Sequence, residues 1–301
     1  MNRVLHRGQY IAYQRFEGLQ QPASTVLLQH GLLSQRKSWL DVGYVEALKA
    51  NFNVITVDSL GHGDSDKPRD PKLYELSQRA GHIAAVLDAE SIESVHYIGY
   101  SMGGWIGTGM ALYHPDRLAS LTLGGWDPVG GLSAVPASGT FNDLLERAQD
   151  SVPTLTSWVT KNVLPGLEAC WKALQETQGS EAALSGLNVP VLLWSGLADG
   201  CLDPLQRLQA RYPEYRLLTV PGDHVAARMV HTRESIEGLV NFLELADNYE
   251  LSDTRSWAST EGGAISRSCC SVASGYADRS KDLLRHVECG GLYLYNNVRR
   301  S

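Results

Sequence analysis

One serine in this chain stands where its hydroxyl could serve as a nucleophile. Gly99-Tyr100-Ser101-Met102-Gly103 follows an apolar run, Val95–Gly99, and opens a helical pattern over Met102–His114. A serine forced onto a sharp strand-to-helix turn needs small residues two before and two after it, because the backbone is crowded there. Gly99 and Gly103 supply them, and Gly104 extends the allowance. The turn would put the Ser101 hydroxyl at the carboxyl edge of a sheet, beside helical N–H groups that stabilise negative charge. The plain alternative is a serine that only caps a helix. A hydroxyl is a weak nucleophile and needs a base, which in turn needs an orienting carboxylate. Of nine histidines, His224 suits best, since it follows the run Tyr215–Val220 through Pro221-Gly222-Asp223. His96 lies within a strand pattern, His82 and His114 on helices, His62 in a turn, His231 before the last helix, and His6 and His286 near the ends. Asp199, in Ser195-Gly196-Leu197-Ala198-Asp199-Gly200, leaves the run Pro190–Trp194 in the same way. Asp127 and Asp203 stay open as rival acids, whereas Asp223 reads as a loop residue.

These residues need a scaffold that brings strand ends together. Short apolar or β-branched runs recur at Thr25–His30, Phe52–Asp58, Val95–Gly99, Leu118–Leu123, Val189–Trp194 and Tyr215–Val220. Runs of this kind suit strands covered on both faces, as in a parallel sheet. Helical patterns over 39–50, 76–90, 102–114 and 235–245 alternate with them, and Val4–Phe16 reads as an entry hairpin turning near Gly8. The expected fold is α/β, a mostly parallel central sheet flanked by helices with a short helical lid insertion. We assign residues 1–126 and 189–246 to the core, 127–188 to the lid, and 247–301 to a flexible C-terminal extension. That extension holds nine serines and no sustained period.

Composition removes several classes. The 301 residues carry 26 basic and 33 acidic side chains, a net charge of −7, which argues against nucleic acid or an anionic membrane as partner. No apolar run reaches the roughly 18 residues of a membrane span, and residues 1–8 show no secretory pattern. Five cysteines include no C-x-x-C pair, so free thiols, a cytoplasmic location and no metal are expected. Gly61-His62-Gly63-Asp64-Ser65 lacks the Gly-Lys-Ser/Thr ending of a phosphate loop, and no cofactor is expected.

Taken together, His30-Gly31-Leu32, Asp58-Ser59-Leu60-Gly61-His62-Gly63-Asp64-Ser65, Gly99–Gly104, Gly196-Leu197-Ala198-Asp199 and Pro221-Gly222-Asp223-His224 resemble the α/β-hydrolase fold family, in its serine esterase and carbon–carbon hydrolase branch. The likeness spans about residues 4–245, with Leu60 departing from a frequent Arg. The resemblance implies a Ser101–His224–Asp199 triad acting through an acyl-enzyme. It also implies an oxyanion hole of the Leu32 and Met102 backbone N–H groups, with His30 bracing the loop. The expected activity is hydrolysis of small carboxylic esters of short to medium acyl chain, by a monomer or small homo-oligomer. Leu32, Trp105 and Trp126 are candidates for the substrate pocket. Alternatives are a carbon–carbon hydrolase of meta-cleavage type, for which Arg36, Lys37, Lys161 and Arg228 are candidate carboxylate partners, and a slow-turnover ligand sensor.

Overall fold

Five central strands are buried along almost their whole length, as their apolar runs require: β3 (Thr25–Gln29), β4 (Asn53–Val57), β5 (Val95–Tyr100), β6 (Leu118–Gly124) and β7 (Val191–Gly196). In the computed structural model, which describes residues 1–134, 140–175 and 181–248, they join β1 (Asn2–His6), β2 (Gln9–Phe16) and β8 (Arg216–Val220) in one sheet. The strand order is β1-β2-β4-β3-β5-β6-β7-β8. β1 and β2 form an antiparallel hairpin, β2 runs antiparallel to β4, and β3 to β8 are mutually parallel.

Alternation along each strand divides the apolar side chains between the two faces. Leu27, Ile55, Tyr97, Leu121 and Leu193 share one core cluster with α3 (Leu76–Ala89) and α4 (Met102–Tyr113). Val26, Leu28, Val54, Ile98, Leu192 and Trp194 share the other with α2 (Tyr44–Leu48) and α10 (Thr232–Asp247), so both faces are covered.

The structure departs from the sequence reading in places. The single helix expected over 39–50 is two short ones, α1 (Lys37–Asp41) and α2, because Gly43 adopts φ +87° between them. Two short helices escaped notice, α8 (Leu202–Arg211) and α9 (Ala226–Met229). Between β6 and β7 lie α5 (Phe141–Ser151), α6 (Pro153–Thr156) and α7 (Leu164–Gln175). Thr140 and Asp143 close α5 with a reciprocal capping box. Phe141, Leu145, Val163 and Leu167 of this segment cluster around Leu33 of the β3–α1 loop. The extension expected over 247–301 lies, beyond Asn248, outside the described residues.

Candidate active site

Ser101 sits between β5 and α4 with φ +57° and ψ −119°, a backbone state that costs a non-glycine residue about 1–3 kcal/mol. Its N–H donates to Gly124 O at 2.7 Å, tying the turn to the end of β6. The flanking glycines are required by contact: a Cβ on Gly99 would collide with the Gly103 carbonyl, and one on Gly103 with the Gln29 carbonyl of β3. That second approach brings the β3–α1 loop over the serine. A Cβ on Gly31 would stand 3.0 Å from Ser101 Cβ and 3.5 Å from its Oγ.

His224 lies on the β8–α9 loop, and its Nδ1 is 2.9 Å from Asp199 Oδ2. A carboxylate can only accept, so Nδ1 carries the proton and Nε2 keeps the lone pair. The other Asp199 oxygen, Oδ1, accepts the Cys201 N–H at 3.0 Å. Ala198 N–H donates to Gly222 O at 2.9 Å, fastening the Asp199 loop to the His224 loop. The imidazole rests against Gly125, where a Cβ would come 2.8 Å from its Cε1, and lies 5.3 Å from the Tyr100 ring. The Tyr100 hydroxyl donates to His224 O at 2.7 Å. Ser101 and His224 are thus both held against Gly124-Gly125 at the carboxyl edge.

Burial works against a charged imidazole at His224, as does the Arg228 cation. The Asp199 charge and hydrogen bond, with Asp223, outweigh them, and the His224 pKa lies above its ordinary value. Burial likewise opposes charge on Asp199, 5% exposed, but His224 and the Cys201 N–H hold its carboxyl below the usual carboxylate range. The rival Asp127 accepts the Val129 N–H at 2.9 Å, and the other rival, Asp203, lies in the first turn of α8. Asp223 Oδ1 accepts from the Val225 and Ala226 N–H groups, organising the start of α9.

The residues around this centre are braced from behind. His30 Nε2 accepts from Ser59 N–H at 3.1 Å and its Nδ1–H donates to Gly31 O at 2.8 Å. Burial pushes its pKa down to about 4, so the ring is a neutral strut. Asp58, fully buried, takes bonds from Arg36 N, Arg36 Nη1 and Asp64 N, which sets the Gly61–Ser65 turn against the β3–α1 loop. Met102 directly follows the serine, and its Sδ meets Cys170 Sγ of α7 at 3.5 Å. Leu32 packs with both the main core and the β6–β7 cluster. Trp126 is 5% exposed and abuts Gly104. Trp105 is 1% exposed, with the Arg79 guanidinium 5.4 Å over its ring.

Of the cations noted in the sequence, Arg36 pairs with Asp58 and Asp64, and Lys37 lies 4.0 Å from Asp41. Arg228 is buried, donating to Ser38 Oγ and Ser34 Oγ with Trp39 beneath it, and Lys161 is exposed. Sequence reasoning missed Tyr100, the Cys201 N–H and the serine partners of Arg228. No local pattern marks Tyr100 or the serines, because each acts on a residue distant along the chain, and the Cys201 N–H is a backbone donor that any residue there but proline would offer. Among the described residues, Asp199, Cys201 and His224 are the group whose ligand atoms lie close enough, within 4.8 Å, to share a metal ion. Burial, reinforced by Asp199 and Asp127, pushes the Cys201 thiol well up, so it keeps its proton and is a poor ligand. Cys170 and Cys201 are both free thiols.

Comparison with known proteins agrees with the fold. Residues 24–163 match the sequence profile of the alpha/beta hydrolase fold. The chain is 29% identical over 176 residues to 3-oxoadipate enol-lactonase 1 of Acinetobacter baylyi, covering 52% of this chain and 64% of that protein. Curated relatives are matched over 25% to 66% of their own length. The enol-lactonase of Burkholderia xenovorans LB400 superposes with a TM-score of 0.67 at 22% identity, over 81% of this chain and all of that one. A thermophilic esterase from Thermogutta terrifontis superposes with the same score at 19% identity, over 81% of this chain and 98% of that one. The chain has the α/β-hydrolase fold. Among the described residues, no helix is long and apolar enough to cross a membrane.

Proposed function

We propose that this protein is a serine hydrolase of small carboxylic esters, cyclic esters included. The observation that carries the reading is the buried Asp199 bonded to His224 Nδ1, beside a serine in a strained strand-to-helix turn. In this mechanism His224 Nε2 takes the Ser101 proton as Oγ attacks the ester carbonyl. The oxyanion is held by the Leu32 and Met102 N–H groups, each donor worth about 3 kcal/mol. Collapse expels the alcohol, which takes the proton from Nε2, and water hydrolyses the acyl-enzyme by the same steps in reverse order.

The segment between β6 and β7 serves as a cap, and its apolar packing on Leu32 and Leu33 limits the acyl site to short chains of roughly two to eight carbons. The enol-lactonase relative supports a cyclic ester as substrate. The carbon–carbon reading has less support, because Arg36 is paired with Asp58 and Asp64, Arg228 is held by serines, and Lys37 and Lys161 are exposed. The test is steady-state hydrolysis of p-nitrophenyl esters from acetate to palmitate by wild type and Ser101→Ala. Turnover peaking at short acyl chains and lost in Ser101→Ala is expected. A single burst without steady turnover points to a sensor, and turnover that survives in Ser101→Ala overturns the assignment.

A further inference from the structure

Leu33 is the least expected backbone in the loop over Ser101. Ser34 N–H donates to Gly31 O at 3.3 Å, closing a four-residue turn, and the third residue, Leu33, has φ +61°. That position of such a turn ordinarily takes Gly or Asn. A leucine is disfavoured there because its Cβ crowds the neighbouring carbonyl. A residue in this state persists only where its surroundings hold it.

The two ends of the turn are fastened to the core. Gly31 O receives His30 Nδ1–H, and Ser34 Oγ bonds Ser38 Oγ at 2.9 Å and the Arg228 guanidinium at 3.4 Å. The apex is fastened to a different part of the chain. The Leu33 side chain, 3% exposed, inserts among Phe141, Leu145, Val163 and Leu167. Its carbonyl accepts the indole N–H of Trp158 at 3.0 Å, from the connection between α6 and α7. Both anchors belong to the β6–β7 segment. The residue they flank is Leu32, next to the Gly31 that crosses Ser101. If the turn opened to relieve Leu33, the loop would shift and carry with it the adjoining Gly31–Leu32 peptide, which bears the Leu32 N–H.

We propose that Trp158 is a positioning residue that, by bonding the Leu33 carbonyl, holds the strained turn which aims the Leu32 N–H, so that placement of the β6–β7 segment assembles the oxyanion hole. The inference rests on the hydrolase reading above. It makes the segment part of the catalytic apparatus as well as a wall of the acyl site.

The experiment compares wild type, Trp158→Phe, Leu33→Gly and the double variant in hydrolysis of p-nitrophenyl butyrate and in labelling by an alkyl fluorophosphonate. In the labelling step Ser101 Oγ bonds phosphorus, fluoride leaves, and the hydroxyl proton passes to His224. The phosphoryl oxygen then needs the same donors as an ester oxyanion. Trp158→Phe removes one neutral hydrogen bond and keeps an aromatic ring. It should lose about three- to tenfold in kcat and in labelling rate, with KM within about twofold. On the Leu33→Gly background, where positive φ carries no Cβ cost, the same change should matter about twofold or less. Leu33→Ala gives an independent reading that does not need Trp158→Phe to fold. It loses the packing yet keeps the strain, so it should be slower than Leu33→Gly, the reverse of the usual order for truncations. Wild-type rates in Trp158→Phe, a change in KM alone, an equal loss on both backgrounds, or Leu33→Gly slower than Leu33→Ala would each overturn the proposal. A wild type that neither labels nor turns over overturns the hydrolase reading and this inference with it. A labelled wild type with an equally labelled Trp158→Phe overturns the inference alone.

Discussion

Replacing Asp199 by Asn turns one hydrogen-bond acceptor into a donor at nearly constant size, and the structure dictates how the amide must sit. The Cys201 N–H at Oδ1 can only donate, so the Asn oxygen has to remain there. The amide nitrogen then faces His224 Nδ1, which must offer a lone pair, and the imidazole proton moves to Nε2. That is the atom from which the base would act, so the base is blocked in its resting state. Once a proton is taken from Ser101, the variant also lacks the negative charge that stabilises the imidazolium. For unit charges 2.9 Å apart at an effective dielectric of about 20, Coulomb's law gives about 6 kcal/mol, an upper bound on that contribution. At about 1.4 kcal/mol per decade this is roughly four decades in rate, the size of the loss on the same change in a serine protease triad. Asp199→Asn is therefore expected to lower kcat for p-nitrophenyl butyrate by about 10³- to 10⁴-fold, with KM within a few-fold and the thermal midpoint little changed. Asp127→Asn keeps an acceptor for the Val129 N–H and should cost less than about tenfold. A mild Asp199→Asn beside a crippling Asp127→Asn would refute the assignment of the acid.

The base must be neutral to act, so kcat/KM should fall as pH drops through the His224 pKa, which lies above the ordinary imidazole value. Arg228→Met removes a cation that opposes the imidazolium, leaving Asp199, Asp223 and Tyr100 around the ring, and should move this acid limb to higher pH. An unmoved or lowered limb counts against the electrostatic role of Arg228. Gly103→Ala drives a Cβ into the Gln29 carbonyl and should cost about 3 kcal/mol or more, read as lost soluble protein or a collapsed denaturation midpoint. A normally stable variant would show that the approach of β3 to α4 is looser than the structure has it.

Much of the scaffold was legible in the chain itself, because its signals are local. Five strands are buried on both faces, and so they read as near-continuous apolar and β-branched runs such as Val54-Ile55-Thr56-Val57. The glycines at 99 and 103 were readable for a similar reason, since backbone crowding at a strand-to-helix turn excludes a Cβ whatever lies elsewhere. Gly43 was a local signal too, and reading one helix across it neglected the left-handed conformation it adopts.

The sequence favoured Asp199 as the acid but left Asp127 open. Asp127 and Asp199 both leave strand ends at the same edge, and their roles part only because β7 lies beside β8, bringing the Asp199 loop against Gly222 and His224. The same holds for Trp158 and Leu33, 125 residues apart, and for Arg228 and Ser34, 194 apart. The sequence by itself determined the strands, the longer core helices and the nucleophile turn, because steric crowding and alternate burial act between near neighbours. The tertiary structure alone decided which side chains share a proton, a charge or a strained carbonyl, because hydrogen bonds act over about 3 Å and strand order sets which distant loops come that close.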